Sequence, residues 1–206
     1  MNSNYQNNKV FVRGTIVSNY KFSHQYKDEK FYLFDLEVER KSGVLDILPV
    51  LVSERLVDVT EKIIGRTANI WGEFRSHNLH EEEKTKLILN IFCLEIEFCK
   101  NLEDYDNNNK IEIQGFICKT PIYRTTPLGK RVADLLIAVN GQYSRSSYIP
   151  CLVWGRNAIF SQKLDVGTKL SLTGRIQSRN YEKKMPDGSL QSRTAYEVSA
   201  YILDVI

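Results

Sequence analysis

Apolar positions recur with a period of two along most of the chain. Val10, Val12, Gly14 and Ile16 alternate with Phe11, Arg13, Thr15 and Val17, and Ala133, Leu135, Ile137 and Val139 alternate with Val132, Asp134, Leu136 and Ala138. This is strand periodicity, one face buried and the other facing water. Ten such runs cover 9–20, 31–40, 44–52, 67–77, 86–98, 110–123, 131–140, 147–154, 168–180 and 192–205. One stretch in each half reads as a helix between its third and fourth runs. In the first half it spans Ser53 to Ile64, with Ser53 as N-cap and Gly65 as the stop; in the second it spans Asn157 to Leu164, ending near Gly167. Gly14 and Gly115 fall inside the first run of each half, which predicts a bulge or a sharp bend there.

The two halves repeat one another. Asn8 through Gly14 matches Asn109 through Gly115, and Leu48-Pro49-Val50-Leu51-Val52 matches Ile149-Pro150-Cys151-Leu152-Val153. Ile64-Gly65-Arg66-Thr67 and Gly72 through Asn78 match Val166-Gly167-Thr168-Lys169 and Gly174 through Asn180, with the offset drifting by one residue. Three anchors in the same order predict two homologous units, 1–100 and 109–206, joined by a polar, acidic linker over 101–108. Five strands with a helix between the third and fourth is the order of an OB-fold. The expected architecture is therefore all-β, two tandem five-stranded Greek-key barrels.

Charge separates the halves. Residues 1–100 are nearly neutral at −1 and the linker carries −3, whereas residues 109–206 hold 14 Lys and Arg against 7 Asp and Glu, a net of +7. A basic second half predicts a polyanionic partner for it. The segment from Met1 to Asn8 is polar, without the basic and apolar regions of a secretory signal, and no apolar run is long enough to span a membrane. A cytoplasmic, nucleoid-associated protein is expected. Cys93, Cys99, Cys118 and Cys151 form no CxxC pair and read as reduced, buried, small apolar residues. His77 and His80 beside Glu81 to Glu83 make a weak metal signal without cysteine partners, so no metal and no cofactor is expected. Nucleotide-binding and hydrolase motifs are absent from the sequence, and the reading is not an enzyme.

The second half carries the chemistry. Single-stranded nucleic acid offers base faces and phosphates, and a sequence-tolerant binder needs aromatic platforms for the first and cations for the second. Tyr148 and Trp154 bracket the third strand of this half and Tyr181 follows the fourth. Around them stand Arg156, Arg175, Arg179, Lys183, Lys184 and Arg193, and the loop after the first strand adds Arg124, Lys130 and Arg131. Any single aromatic in a strand could equally be core; agreement with neighbouring cations is what points to binding.

This half resembles the bacterial single-stranded DNA-binding protein family. The likeness is carried by Gly115 through Pro121, Arg124 through Gly129, Val132 through Asn140, Tyr148 through Arg156 and Gly167 through Tyr181. It implies stacking on Tyr148, Trp154 and Tyr181, phosphate contacts at Arg124, Arg156 and Arg179, and single-stranded DNA as the partner. Family members commonly carry one barrel and a flexible acidic tail that recruits replication enzymes. This sequence has two barrels and ends on a strand-like Tyr201 to Ile206. Two functions follow as expectations: DNA coating in replication, repair, recombination or transfer, or a primosome-type scaffold binding mainly protein partners with weak DNA contact. RNA stays open, because stacking does not read the 2′-hydroxyl. In the first half the positions of Tyr148, Trp154 and Tyr181 hold Ile47, Ser53 and Leu79, and His80-Glu81-Glu82-Glu83 replaces the basic hairpin. That barrel is expected to be structural, pairing with its neighbour or with a second chain in a dimer. The cluster Tyr20, Tyr26, Phe31, Tyr32 and Phe34 is read as core and interface packing, and Trp71 as core.

Overall fold

The computed structural model describes residues 7–81, 84–99, 107–141, 145–185 and 188–206. The described residues form twelve strands: β1 (Asn8–Ile16), β2 (Lys21–Tyr26), β3 (Glu29–Glu39), β4 (Leu45–Ser53), β5 (Thr67–Glu81), β6 (Lys84–Cys99), β7 (Asn109–Ile117), β8 (Ile122–Thr125), β9 (Arg131–Asn140), β10 (Ser146–Trp154), β11 (Lys169–Lys184) and β12 (Leu190–Val205). A short helix, α1 (Arg156–Ser161), lies between β10 and β11. Each half orders its strands alike. β1 pairs with β5 and β3, β3 with β4, β5 with β6, and β4 runs parallel to β6; β7, β9, β10, β11 and β12 repeat this closure. The alternating apolar residues fill the barrel interiors, with Val12, Leu36, Val50, Ile70 and Ile91 inside the first and Ile113, Ile137, Ile149, Ile176 and Val198 inside the second.

Two expectations need correction. Five strands close each barrel as expected, but each half adds a sixth, short outer strand: β2 begins after the 9–20 run has ended and pairs with β3, and β8 takes over the end of the 110–123 run and pairs with β9. The segment from Glu54 to Arg66 is a chain of turns with no helix. Ser53 does accept the Arg55 N–H at 3.1 Å, as an N-cap would. Further along, the Asp58 carboxylate takes the Thr60 N–H at 2.9 Å and its hydroxyl at 2.7 Å. Such local bonds compete with helical ones, and Val57, Val59, Thr60, Ile63 and Ile64 are poor helix formers.

Gly14 and Gly115 are places of close approach. A Cβ at Gly115 would collide with the Ala138 carbonyl oxygen and sit 2.7 Å from Ile137 Cγ2, and one at Gly14 would meet the Glu37 backbone. Here β1 and β7 turn from one side of the barrel to the other; Thr15 pairs with both Thr67 and Glu37. The bulges themselves fall at Trp71/Gly72 and Thr173/Gly174.

The barrels are joined through β1 and β7, which pair antiparallel with Val10 opposite Ile111. These two residues are equivalent in the repeat, so a local twofold axis passes between them. The contacts obey it. Arg13 N–H donates to Asn108 O at 2.8 Å, and Gln114 N–H donates to Asn7 O at 2.7 Å. Asn8 binds both backbone groups of Phe74, at 3.0 and 2.8 Å, and Asn109 binds both backbone groups of Ile176, at 2.9 and 2.7 Å. Each asparagine side chain thus extends a ladder that its own strand has left in order to pair across the axis. Trp71 is half-buried against Phe11, with ring centroids 5.3 Å apart, and so stands outside the core.

Candidate nucleic-acid interface

Register places the second-half residues on one outer sheet face. Paired residues share a face and alternate residues return to it. From β8 inward the pairs are Arg124 with Val132, Val132 with Trp154, Ala138 with Tyr148, Leu152 with Ser199, Ser199 with Arg175, Ala195 with Arg179, and Arg193 with Tyr181. Tyr148 and Trp154 are six residues apart on β10, about 20 Å at strand rise. Their side chains stay exposed at 44% and 38%, and Tyr181 at 37%. Core aromatics in this chain behave differently: Phe34 and Phe74 are shut away.

Two of the three rings have side-chain partners, and Tyr148 is held through its backbone N–H, which donates to Ser76 Oγ at 2.7 Å. Trp154 Nε1 donates to Ser199 Oγ at 3.1 Å, and the indole borders a cleft lined by Asn157, Arg175, Ser199 and Tyr201. Tyr181 lies under Arg179, whose guanidinium carbon is 5.7 Å from the ring centroid. Arg179 also comes within 3.9 Å of Glu197, which takes a 2.8 Å bond from Gln177. Arg124 is held by Asp134 through two bonds, 2.8 and 3.2 Å, which raise its pKa. Burial lowers the pKa of Arg175, and the nearby Arg40 charge adds to that.

The other cations divide by position. Lys130, Arg131 and Arg156 are exposed at the Trp154 end, where Lys130, Arg131 and Gly155 line a shallow depression beside the indole. Lys183 continues the Tyr181 face along the hairpin, and Arg193 lies opposite Tyr181, bonded to Gln191 at 2.8 and 3.1 Å. By alternation Lys184 falls on the opposite side of the hairpin, and Arg131 alternates with Val132 on β9, reaching the site at the strand end beside Trp154 and not on the sheet face. The hairpin turn at Pro186 and Asp187, the linker residues 101–106, and the side chains from His80 to Glu83 lie outside the described residues. Cys93, Cys99, Cys118 and Cys151 carry free thiols; Cys93 and Cys151 are buried as expected, whereas Cys99 and Cys118, each near a strand end, are only partly covered. Among the described residues no cluster of His, Cys, Asp or Glu is placed to hold a metal ion, and no helix is long and apolar enough to cross a membrane.

The matching face of the first barrel holds rings that alignment alone did not reveal. Ser53 stands where Trp154 stands in the second barrel, yet its cross-strand neighbours are aromatic. Phe31 opposes Ser53 as Val132 opposes Trp154, and Phe92 lies beside Leu51 as Ser199 lies beside Leu152. These rings are already covered. His24 stacks on Phe31 at 5.0 Å and 10°, Phe31 and Phe92 are 6.0 Å apart, and the Arg75 guanidinium sits 3.6 Å from the Phe92 centroid. Arg75 is itself paired with Glu73 at 2.7 Å. The aromatic cluster therefore divides: Phe34 is core, Tyr20 and Tyr32 pack against it, Phe31 belongs to the outer face and Tyr26 is exposed.

The model of the single-strand binding protein family matches residues 108–205. The chain is 31% identical over 86 residues to single-stranded DNA-binding protein B of Bacillus subtilis (strain 168), covering 74% of that protein and 37% of this chain. The chain belongs to the single-strand binding protein family. A second family relative is single-stranded DNA-binding protein 1 of Staphylococcus aureus (strain COL), 36% identical over 83 residues, which are 37% of this chain and 50% of that protein. The chain spans about half the length of the first curated family relatives it matches. The fold likeness runs through both halves. The crystal structure of wild-type single-stranded DNA binding protein from Thermus aquaticus aligns over 97% of this chain and 92% of its own, with a TM-score of 0.75 at 20% identity.

Proposed function

We propose that the protein binds single-stranded DNA without strict sequence preference on the outer face of its second barrel. Bases stack on Tyr148, Trp154 and Tyr181, while Arg124, Lys130, Arg131, Arg156, Arg175, Arg179, Lys183 and Arg193 neutralise phosphates. The observation that carries the reading is the exposure of all three rings on one continuous face among cations. A core role would bury those rings, and a stacking role needs them open. The named DNA-binding relatives support it. Lys184 takes phosphate only where the strand wraps the hairpin.

In this reading the first barrel, residues 1–100, is structural. Its outer rings are occupied by His24 and Arg75, and Arg75 is neutralised by Glu73. Two chains pair so that four barrels assemble, and the protein works in the cytoplasm where replication, repair or recombination exposes single strands. No bond-making step is needed for this role. The test is fluorescence anisotropy of a labelled oligothymidylate of about 35 nucleotides at two salt concentrations, with duplex DNA as competitor. Salt-sensitive binding that resists the duplex supports the proposal. No binding at low salt overturns it and leaves a protein scaffold.

A further inference from the structure

The free edge of β11 is held in three successive ways. As far as Gly174 it pairs with β7. Ile176, two residues on, has its N–H and C=O bound by the Asn109 side chain. Ser178, two residues further, has both backbone groups bound by the first barrel: its N–H donates to Asp46 Oδ1 at 2.7 Å and its C=O accepts from Arg40 Nη2 at 3.0 Å. Its hydroxyl donates to the same Asp46 oxygen at 3.0 Å. Asp46 is fully buried and doubly bonded to Arg40, each bond 2.6 Å, so the pair forms a rigid acceptor and donor that imitates a strand edge. Directly beyond this clamp the hairpin with Arg179, Tyr181 and Lys183 leaves the barrel.

The twofold-related place is built differently. The counterpart of Ser178 is Ser76, and that of Asp46 is Ser147. Ser76 N–H donates to Ser147 Oγ at 3.2 Å, and Ser76 Oγ accepts the Tyr148 N–H at 2.7 Å. A buried ion pair thus grips the hairpin of the second barrel, and a lone hydroxyl serves the hairpin of the first. Both arrangements end on the second barrel's face, at the root of its hairpin and at the backbone of its first stacking residue.

We propose that the first barrel is a positioning element for the DNA face of the second, with Asp46 and Arg40 aiming the Arg179–Tyr181 hairpin and Ser76 fixing the backbone of Tyr148. The inference rests on the DNA-binding reading above. Side chains that meet a strand must be held in place before it arrives, otherwise binding pays for ordering them. The positioning residues themselves need not touch DNA.

The test is a pair of double-mutant cycles on the full-length protein, read as oligothymidylate affinity and its salt dependence. Asp46→Ser puts in the first barrel the residue type that the second uses at Ser147, and it is combined with Tyr181→Ala. Ser76→Ala, a one-oxygen deletion safe for folding, is combined with Tyr148→Ala. Expected are an affinity loss of about tenfold for Asp46→Ser, the worth of one stacked base, and a salt slope smaller by about 0.7 as the Arg179 contact is lost. In each cycle the second substitution costs at least about threefold less than it does alone. Ser76→Thr, which keeps the hydroxyl, restores binding. Additive effects, or variants that bind as the wild type does, overturn the proposal. Should Asp46→Ser fail to fold, the Ser76 cycle decides alone. A wild-type protein that binds no oligothymidylate overturns the function and the positioning with it, whereas a wild type that binds and variants that are additive overturn the positioning alone.

Discussion

Replacing Trp154 by alanine separates stacking from charge. The indole is 38% exposed, and its Nε1 donates to Ser199 Oγ at 3.1 Å. Losing one base platform costs about 1–3 kcal/mol of binding, so oligothymidylate affinity should fall roughly 5- to 150-fold. The cost to folding is smaller than the roughly 3–5 kcal/mol of a fully buried aromatic, because the ring is partly in water already. About 2 kcal/mol is expected, which leaves a 206-residue chain folded. Tryptophan carries no charge, so the slope of log affinity against log salt should not change. Trp154→Phe keeps a ring and should recover most of the loss. The assay is anisotropy at four salt concentrations, with circular dichroism to verify the fold. A folded Trp154→Ala variant that binds within twofold of wild type would refute stacking at this position.

Asp134 neutralises Arg124 in the free protein. Asp134→Asn should strengthen oligothymidylate binding on the order of threefold and steepen the salt slope by about 0.7; unchanged or weaker binding would show that Arg124 meets no phosphate. Gly115→Ala should lower the unfolding free energy, read from urea titration, by the upper end of the roughly 1–3 kcal/mol that overpacking costs, and Gly14→Ala should do the same, since both would press a methyl into a neighbouring backbone. Burial pushes the Tyr20 phenol up to about 12 from its ordinary value of 10.0. The folded chain then holds its proton while the unfolded chain releases it. Tyr20 therefore contributes stability that is complete below pH 10 and lost as pH rises toward 12. Urea titrations of wild type and Tyr20→Phe from pH 9 to 12 should diverge across that window; parallel curves would contradict the assignment.

Sequence carried the fold a long way, because alternation and the repeat are both local or linear signals. Paired anchors such as Asn8 and Asn109 even marked the residues that clamp β5 and β11. Alternation also explains why Tyr148, Trp154 and Tyr181 were legible as a set: each shares a strand with buried neighbours of opposite parity, such as Ile149, Val153 and Ile176. The sequence pattern predicts a helix in the first half that the structure lacks, because capping and a glycine stop say nothing of a mid-segment Asp58 that binds Thr60. The outer rings of the first barrel escaped notice for a different reason. Alignment compares Trp154 with Ser53, whereas the space beside Ser53 is filled from neighbouring strands by Phe31 and Phe92, a relation that exists only after folding. The Asp46–Arg40–Ser178 clamp was equally silent, since a buried aspartate on a strand has no spacing signature.

The central claim is that bases lie on the second barrel. Ultraviolet crosslinking of full-length protein to oligothymidylate, followed by peptide mapping, locates stacked bases directly, since a photoadduct forms only where base and ring touch. Adducts at Tyr148, Trp154 and Tyr181 are predicted. Adducts confined to Phe31, Phe92 and the rest of the first barrel would contradict the account.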